Sequence, residues 1–291
     1  MRFLAAIAAA AVATTTPQLI AKIKVSPLAQ PCAAAAGGRW VWVADYGLPK
    51  LLKIDPRTNK VRGTATIGSG SCGLGYGAGS MWIEDTNSNT VSRVSVRTGK
   101  RIAAIPVGLT PYDATFAYGA AWVTAHNGSA LDRIDPARNT VVARIPLPLA
   151  TGVVAAFGSV WGAGGNGVIR VDPATNKVVA SIKIDGAAWT AASADAVWIT
   201  TGLDELARID PSTNQVVATI KLPAIAGDPD TVSGKIWVPI VSLNKVLVVD
   251  PAANTVVRTV KTGIGPFVVT QIAGNAWVPS YRGTDVRRFA P

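Results

Sequence analysis

The sequence predicts an all-β protein, a seven-bladed β-propeller made of four-stranded antiparallel blades. A unit of about 40 residues recurs seven times in the 291 residues, which is close to the length of one propeller blade. Nothing beyond the extreme N-terminus has the 3.6-residue periodicity of a helix. Each copy is centred on a tryptophan that follows a small or apolar residue: Trp42, Trp82, Trp122, Trp161, Trp198, Trp237 and Trp277.

Each copy is predicted to contain four strands, named a to d in chain order. Strand a begins about ten residues before the tryptophan, and strand b carries it. Strand c carries an Arg-Ile-Asp-Pro signature, clearest at residues 133–136 and 208–211, and strand d is an alternating apolar run such as residues 178–184. Pro after Asp is turn chemistry, and β-branched runs are strand chemistry. We therefore expect the aspartate to cap this turn and the tryptophan to pack between blades.

The two ends of the chain complement one another. The last copy stops at residues 288–291 without a strand d, whereas residues 19–25 have the strand-d pattern and precede the first strand a. The N-terminal strand is predicted to complete the C-terminal blade, because this pairing removes an exposed sheet edge. Residues 18–291 then form a single domain, since one uninterrupted repeat array fills them.

Residues 1–13 have the pattern of a signal peptide. Arg2 supplies a minimal positive region, residues 3–10 are apolar, and residues 11–13 read Ala-Val-Ala, an A-x-A cleavage site, with a second cleavage point near Thr16. The apolar run is too short to span a bilayer. The sequence thus predicts an exported monomer, periplasmic or secreted, without a transmembrane segment.

Two cysteines occupy equivalent positions in the first two copies. Cys32 and Cys72 each lie ten residues before the tryptophan of their copy, on the innermost strands of adjacent blades. A bridge requires Cα atoms within roughly 4.4–6.8 Å, and neighbouring inner strands lie near the upper edge of that range. In an oxidising compartment the pair is a disulfide candidate, and two buried free thiols are the alternative.

Charge is predicted to be divided between the two faces of the ring. The formal net charge is +11, but its placement matters more than its sum. The d-to-a and b-to-c loops open on one face, and they hold most of the acidic residues: Asp45, Glu84, Asp85, Asp113, Asp185, Asp204, Glu205, Asp228, Asp230 and Asp285. The turns of the other face carry basic residues: Arg57, Lys60, Arg97, Lys100, Arg138 and Lys177.

A basic residue also recurs two positions before the signature aspartate, as Lys53, Arg93, Arg133, Arg170, Arg208 and Arg288. Side chains two apart on a strand share a face, so these are predicted to form ion pairs and to cover apolar surface within or between blades. An anionic polymer on the basic side, such as nucleic acid, is the alternative partner. It is not expected, because the interleaved exposed aromatics of single-strand binders are missing.

The copies at residues 119–124 and 131–136 resemble those of YncE-like, YVTN-repeat propellers of exported bacterial proteins. The same superfamily includes streptogramin lyases such as virginiamycin B lyase, and the resemblance covers about residues 18–291. It implies the propeller architecture. Lyases of this type use histidines and a glutamate with bound magnesium, whereas this chain has one histidine, His126.

Residues that depart from the repeat are the candidate ligand-binding residues, because blade construction does not require them. Trp189 lies at the repeat position of Asp113 and Asp228, near the mouth of the central channel on the acidic face. An aromatic and acidic mouth suits a cationic or sugar-like ligand, or a basic protein segment. The complete candidate set is Trp189, Tyr112, Asp113, Asp228, Asp230, Phe267, Tyr46 and Tyr281.

The sequence leaves the presence of catalysis open and favours binding alone. If the protein is an enzyme, His126 would be the base, with Glu84 or Asp85 as its partner. The same three residues could hold a divalent cation, such as magnesium, as a mixed nitrogen and oxygen set in the channel. The second hypothesis is therefore a metal-assisted enzyme of the streptogramin lyase type that uses the same face.

Overall fold

The computed structural model describes residues 16–291, so the predicted signal peptide at residues 1–13 lies outside the described residues. Within residues 16–291 the strands form seven four-stranded antiparallel sheets, which confirms the predicted propeller. The first three blades comprise β2 (Pro31–Gly37), β3 (Trp40–Asp45), β4 (Lys50–Asp55) and β5 (Lys60–Thr66); β6 (Leu74–Gly77), β7 (Ser80–Asp85), β8 (Thr90–Ser95) and β9 (Arg101–Pro106); and β10 (Pro111–Ala117), β11 (Ala120–Ala125), β12 (Ala130–Asp135) and β13 (Thr140–Pro146).

Blades four to six follow the same order. They comprise β14 (Ala150–Ala156), β15 (Ser159–Gly164), β16 (Gly167–Asp172) and β17 (Lys177–Lys183); β18 (Ala187–Ala192), β19 (Val197–Thr201), β20 (Glu205–Asp210) and β21 (Gln215–Lys221); and β22 (Asp230–Val232), β23 (Lys235–Ile240), β24 (Lys245–Asp250) and β25 (Thr255–Lys261). A single 3-10 turn, Val241–Leu243, is the helical segment of residues 16–291. This part of the chain contains no helix with the length and apolar character that crossing a bilayer requires.

The seventh blade joins the two ends of the chain, as predicted. It consists of β26 (Thr270–Ile272), β27 (Asn275–Pro279), β28 (Asp285–Ala290) and, at its outer edge, β1 (Gln18–Lys24). β1 pairs antiparallel with β28, with Ile23 opposite Val286. The ring is therefore closed by backbone hydrogen bonds between residues more than 260 positions apart.

The repeated tryptophans pack between blades. All seven are at most 1% exposed. Trp161 of blade four packs against Val197 and Ile199 of blade five, and Trp277 of blade seven packs against Val41 and Val43 of blade one. Each indole thus buries its surface against the next blade, so one tryptophan per blade fills each junction between blades.

The turn between strands c and d has the same construction in most blades. In blade four, the Asp172 carboxylate accepts the Ala174 N–H at 2.9 Å, and Asn176 adopts a left-handed conformation with φ 59°. Equivalent aspartate caps bind the backbone at Arg57, Ala137, Ser212 and Ala252. Asparagine tolerates positive φ better than most residues. The geometry of the turn therefore explains both the aspartate that caps it and the asparagine at its left-handed position.

The repeated basic residue connects one blade to the next. The Arg170 guanidinium lies 4.9 Å from the Trp161 ring and donates to the Pro211 carbonyl at 2.6 Å and to Asn214 Oδ1 at 2.9 Å, both in the turn of blade five. Arg93, Arg133, Arg208 and Arg288 likewise donate to the asparagine of the following blade.

The prediction that these basic residues form ion pairs is therefore largely wrong. Among residues 16–291, Arg208 is the one of this set whose side chain pairs with a carboxylate, that of Asp195 at 2.6 Å. The tryptophan rings are covered, as predicted, by Arg93, Arg133, Arg170 and Arg288, which donate to neutral oxygens. Lys53 covers the Trp40 ring. A neutral acceptor is used because the turn aspartate already accepts hydrogen bonds from its own turn.

Two junctions between blades lack this arginine contact. The turn of blade two has Gly99, with φ 69°, at the asparagine position, so that position offers no side-chain acceptor, and the preceding blade has Lys53 in place of arginine. Blade seven has no c-to-d turn because β1 closes it, and blade six has Val248 in place of arginine. Arginine is thus replaced where the next blade has no asparagine to accept its hydrogen bond.

The structure joins Cys32 and Cys72 by a disulfide at the first of these junctions. Their Cα atoms lie 5.0 Å apart, and the bridge connects the innermost strands of blades one and two. Cys32 is fully buried and packs with Phe267 and Tyr281. One of the two junctions that lack the arginine contact therefore carries a covalent link.

Candidate functional site

Irregular inner strands aim side chains into the central channel. The pairing of β10 with β11 shifts by one residue between Pro111 and Ala114, and that of β18 with β19 shifts between Ala187 and Thr190. Such a bulge leaves one residue unpaired and redirects the neighbouring side chains. Tyr112, Asp113 and Trp189 lie in these bulges, so the departures seen in the sequence coincide with departures in backbone pairing.

Six rings from four blades form an arc around the mouth of the channel. Neighbouring ring centroids lie 4.6–6.4 Å apart along the series Tyr46, Tyr281, Phe267, Trp189, Tyr112 and His126. The five predicted aromatic residues line one cavity of about 280 Å³, together with Cys72 and Thr86. The structure therefore brings together residues that are up to 235 positions apart in the chain.

A carboxyl layer lies next to the aromatic layer along the channel. The predicted residues Asp113, Asp228 and Asp230 line a second cavity of about 190 Å³, together with Thr190. Tyr112 and Trp189 line the mouth, whereas the residues that follow them, Asp113 and Thr190, line this deeper cavity. The two cavities are thus successive layers built by the same strands, and we name the deeper one the carboxyl chamber.

The carboxyl groups in the chamber and the neighbouring Glu84 all have raised pKa values. Burial raises the pKa of Asp113 to about 6, although the N–H groups of Val153 and Ala114 each donate to this carboxyl at 2.8 Å. Burial, and then the carboxylates of Asp113 and Asp230, raise the pKa of Asp228 well above its ordinary value. Burial also raises the pKa of Asp230 and that of Glu84, which is fully buried.

Removing the Asp228 charge is expected to stabilise the protein at alkaline pH. The folded state holds the Asp228 proton to a higher pH than the unfolded state does, so stability falls as the pH rises above the ordinary aspartate pKa of about 4. Asp228→Asn cannot ionise and avoids this loss. We expect its Tm to exceed that of the wild type by about 2–6 °C at pH 8, and to equal it at pH 4.

Thermal unfolding followed by circular dichroism at both pH values checks this expectation. Asp185→Asn is the matched control, because Asp185 is exposed on the same face, and its Tm should follow that of the wild type. If Asp228→Asn were less stable than the wild type at pH 8, ionised Asp228 would not destabilise the folded state.

The predicted catalytic residues do not converge on one point. Glu84 accepts hydrogen bonds from the backbone N–H groups of Cys72 and Gly73, and Asp85 accepts from the Ser92 and Thr90 hydroxyls and the Gly68 N–H. Consecutive residues of a strand point to opposite faces, so these two carboxyls serve separate environments. His126 is instead stacked on Tyr112, with its Nδ1 3.5 Å from Thr151 Oγ1.

The described residues do not fit a divalent cation centre. Within residues 16–291, no group of three or more His, Cys, Asp or Glu side chains is placed to hold a metal ion. Magnesium requires near-octahedral oxygen coordination at 2.0–2.1 Å, and Asp113 and Asp230 already accept hydrogen bonds from backbone N–H groups. The geometry supplies no metal-dependent step.

Five of the ten acidic residues predicted at or near this face are buried, namely Asp45, Glu84, Asp85, Asp113 and Asp285. Asp45, Asp85 and Asp285 are buried, and their carboxylates accept hydrogen bonds that hold the loops of this face. Asp185 is exposed. Asp204 and Glu205 are half-buried. The buried carboxylates serve loop backbones, which need buried acceptors in a closed ring. The basic residues predicted for the other face are exposed: Arg57, Lys60, Arg97, Lys100, Arg138 and Lys177.

Comparison with known proteins supports the architecture. A family described as "Repeat of unknown function (DUF6923)" matches residues 58–202, and no curated protein matches the sequence. Kuenenia stuttgartiensis hydrazine synthase superposes with a TM-score of 0.78 at 16% identity, covering 92% of this chain and 97% of that one. The chain is a seven-bladed β-propeller.

Two further solved propellers superpose over nearly their whole length. The WD40 β-propeller domain of Doa1 has a TM-score of 0.77 at 14% identity, covering 94% of this chain and 97% of that one. BamB from Moraxella catarrhalis has a TM-score of 0.71 at 13% identity, covering 95% of this chain and 98% of that one. At such identities these likenesses show the fold alone, which is consistent with a ligand- or protein-binding role.

Sequence reasoning missed two features of this site. Thr190 lines the carboxyl chamber, and its only signal was its position directly after Trp189. The loops of this face also carry exposed aliphatic side chains, 50–75% accessible, which recur in five of the seven d-to-a loops of the propeller: Leu28, Leu109, Leu149, Ile225 and Ile264. The signal for the second feature was a Leu or Ile in the loop before strand a in these five blades.

Proposed function

We propose that this propeller is an exported, non-catalytic binding protein that receives its ligand at the aromatic mouth of the channel. The observation that carries the proposal is the convergence of five aromatic side chains from four blades on one cavity of about 280 Å³. Blade packing requires none of these rings, and a concave aromatic cavity with a few polar groups is the usual form of a ligand site.

The ligand class follows from the ring geometry and from the layer beneath. Ring faces attract cations and stack on the apolar faces of sugars, and buried carboxyls below them favour positive charge. The exposed aliphatic loop tips around the mouth add apolar area of the kind that marks protein contacts. We therefore propose a cationic or sugar-like ligand, or a basic protein segment, held by Trp189, Tyr112 and Phe267.

Export and kinship belong to the same proposal. The signal-peptide pattern of residues 1–13 and the disulfide between Cys32 and Cys72 both favour a periplasmic or secreted location. The Trp-centred repeat and the Asp-Pro turns support relationship to YncE-like, YVTN-repeat propellers. A lyase activity is not proposed, since His126 is engaged with Tyr112 and no metal set accompanies it within residues 16–291.

Ligand titration of matched variants tests the mouth. The probes are a tetraalkylammonium ion, a glucose oligosaccharide and a lysine-rich peptide, measured by calorimetry and tryptophan fluorescence. At least one probe should bind the wild type, and Trp189→Ala should weaken that binding by about tenfold or more, as expected for a central aromatic anchor.

Tyr76→Ala is the control, because Tyr76 is an exposed aromatic outside the mouth, and it should bind as the wild type does. Thermal unfolding of both variants reports whether they are folded. Equal binding by the wild type and Trp189→Ala, or no binding of any probe, would contradict the proposed function.

A further inference from the structure

The carboxyl chamber contains acceptors without donors. Thr190 is 6% exposed, and its Oγ1 has no hydrogen-bond partner within residues 16–291. The pKa of the Asp228 carboxyl is raised by burial and by two neighbouring carboxylates, and no hydrogen bond from residues 16–291 offsets this rise. A buried polar group without a partner is costly, so the unpartnered Thr190 hydroxyl beside the Asp228 carboxyl indicates that something else supplies the donors.

The missing donor carries positive charge. Asp113, Asp228 and Asp230 line the chamber, and no basic side chain contributes to the environment of any of the three within the described chain. The ion pairs of residues 16–291 involve other carboxylates, for example Arg144 with Asp132. Like charges held together in a buried site require a countercharge or a shared proton.

An ammonium group fits these acceptors better than a metal ion does. The carboxyls do not form a set that converges on one ion, whereas an ammonium carries three donors that can reach acceptors on different sides of a cavity. A chamber of about 190 Å³ has room for such a group with water. The adjoining Trp189 and Phe267 offer ring surface to an alkyl stem or to the cation itself.

We propose that the carboxyl chamber binds a primary alkylammonium group, with Asp228, Asp113 and Thr190 as its acceptors and the aromatic mouth around its alkyl stem. This inference deepens the proposed function, on which it rests, by naming the chemistry of the group that enters the channel. The ammonium group belongs either to a free alkylamine or to a lysine side chain of a protein segment.

Calorimetric titration at pH 8, where alkylamines stay charged, tests the chamber directly. The probes are 1,5-diaminopentane, the uncharged 1,5-pentanediol, and a short peptide with one lysine, used with and without acetylation of that lysine. The diamine or the lysine peptide should bind, and the diol and the acetylated peptide should not. Asp228→Asn should weaken binding by about tenfold or more, because it removes a charge-assisted acceptor.

Thr190→Val should weaken binding by about threefold to tenfold, because one hydroxyl acceptor is lost. Its matched control is Thr262→Val, since Thr262 is also buried with a hydroxyl that has no partner in the described chain but lies outside the chamber. Asp185→Asn is the control for charge. Binding of the diamine alone assigns the site to free amines, and binding of the lysine peptide, lost on acetylation, assigns it to a protein segment.

The outcomes separate this inference from the proposed function. If ammonium probes bind equally to the wild type, Asp228→Asn and Thr190→Val, the chamber is not their site and the inference is overturned, while sensitivity to Trp189→Ala still supports the mouth. If no ammonium probe binds but the oligosaccharide does so through Trp189, the inference fails and the proposed function stands.

Discussion

Replacing Cys32 and Cys72 together by alanine is expected to lower the free energy of unfolding by about 4 kcal/mol, the chain-entropy value for a closed loop of 40 residues. For a domain of this size the Tm should fall by about 8–15 °C. The effect should be large here because the bridge joins blades one and two, the junction where Lys53 faces a turn without asparagine. No hydrogen-bonded arginine replaces the lost link.

Denaturant and thermal unfolding of oxidised wild type, reduced wild type and the double-alanine variant measure this effect. Reduced wild type should have the same unfolding midpoint as the double variant. Mass spectrometry of unreduced wild type should detect no free thiol. Equal midpoints for the oxidised and reduced forms would show that the junction depends on packing alone.

Arg170→Ala is expected to lower the free energy of unfolding by about 3 kcal/mol, because several partly buried hydrogen bonds and a ring contact are lost together. The guanidinium donates to Ser159 Oγ, to the Pro211 carbonyl and to Asn214 Oδ1, and it covers the Trp161 ring. The substitution also leaves the Pro211 carbonyl and the asparagine of blade five without their donor. The unfolding midpoint in urea reports the change.

Lys53→Ala is the matched control at the equivalent position of blade one. Lys53 lies 4.2 Å from the Trp40 ring but has no asparagine in the turn of blade two to bind. Its removal should cost about 1 kcal/mol or less, the range of a partly exposed cation–π contact. If both variants lost the same stability, the value of the arginine would lie in covering tryptophan and not in joining blades.

Much of the fold could be predicted from the sequence because propeller construction is local and repeated. The tryptophan spacing predicted the number of blades, the Asp-Pro turns marked strand ends, and the missing strand d of the last copy predicted closure by β1. The roles of Asn176 and Asn214 as acceptors for the preceding blade were not predicted. A turn asparagine looks the same in sequence whether or not an arginine 43 or 44 residues away reaches it.

For the site, the sequence identified which residues depart from the repeat, and the aromatic members of that set do share one cavity. Which of the acidic residues are buried could not be predicted, because a residue's loop assignment does not reveal whether neighbouring N–H groups fold over its carboxylate, as they do over Asp45. The grouping of His126 with Glu84 and Asp85 likewise relied on adjacent blades, whereas strand alternation separates the two acids.

The sequence alone determined the architecture of this protein, since each blade repeats one local pattern of turn, strand and tryptophan. Only the tertiary structure decided what the channel contains: an aromatic layer drawn from four blades above a chamber in which Asp228 and Thr190 have no donor among residues 16–291. The physical reason is that blade formation depends on neighbours in the chain. Burial and unmet hydrogen bonds depend on residues that meet only when the ring closes.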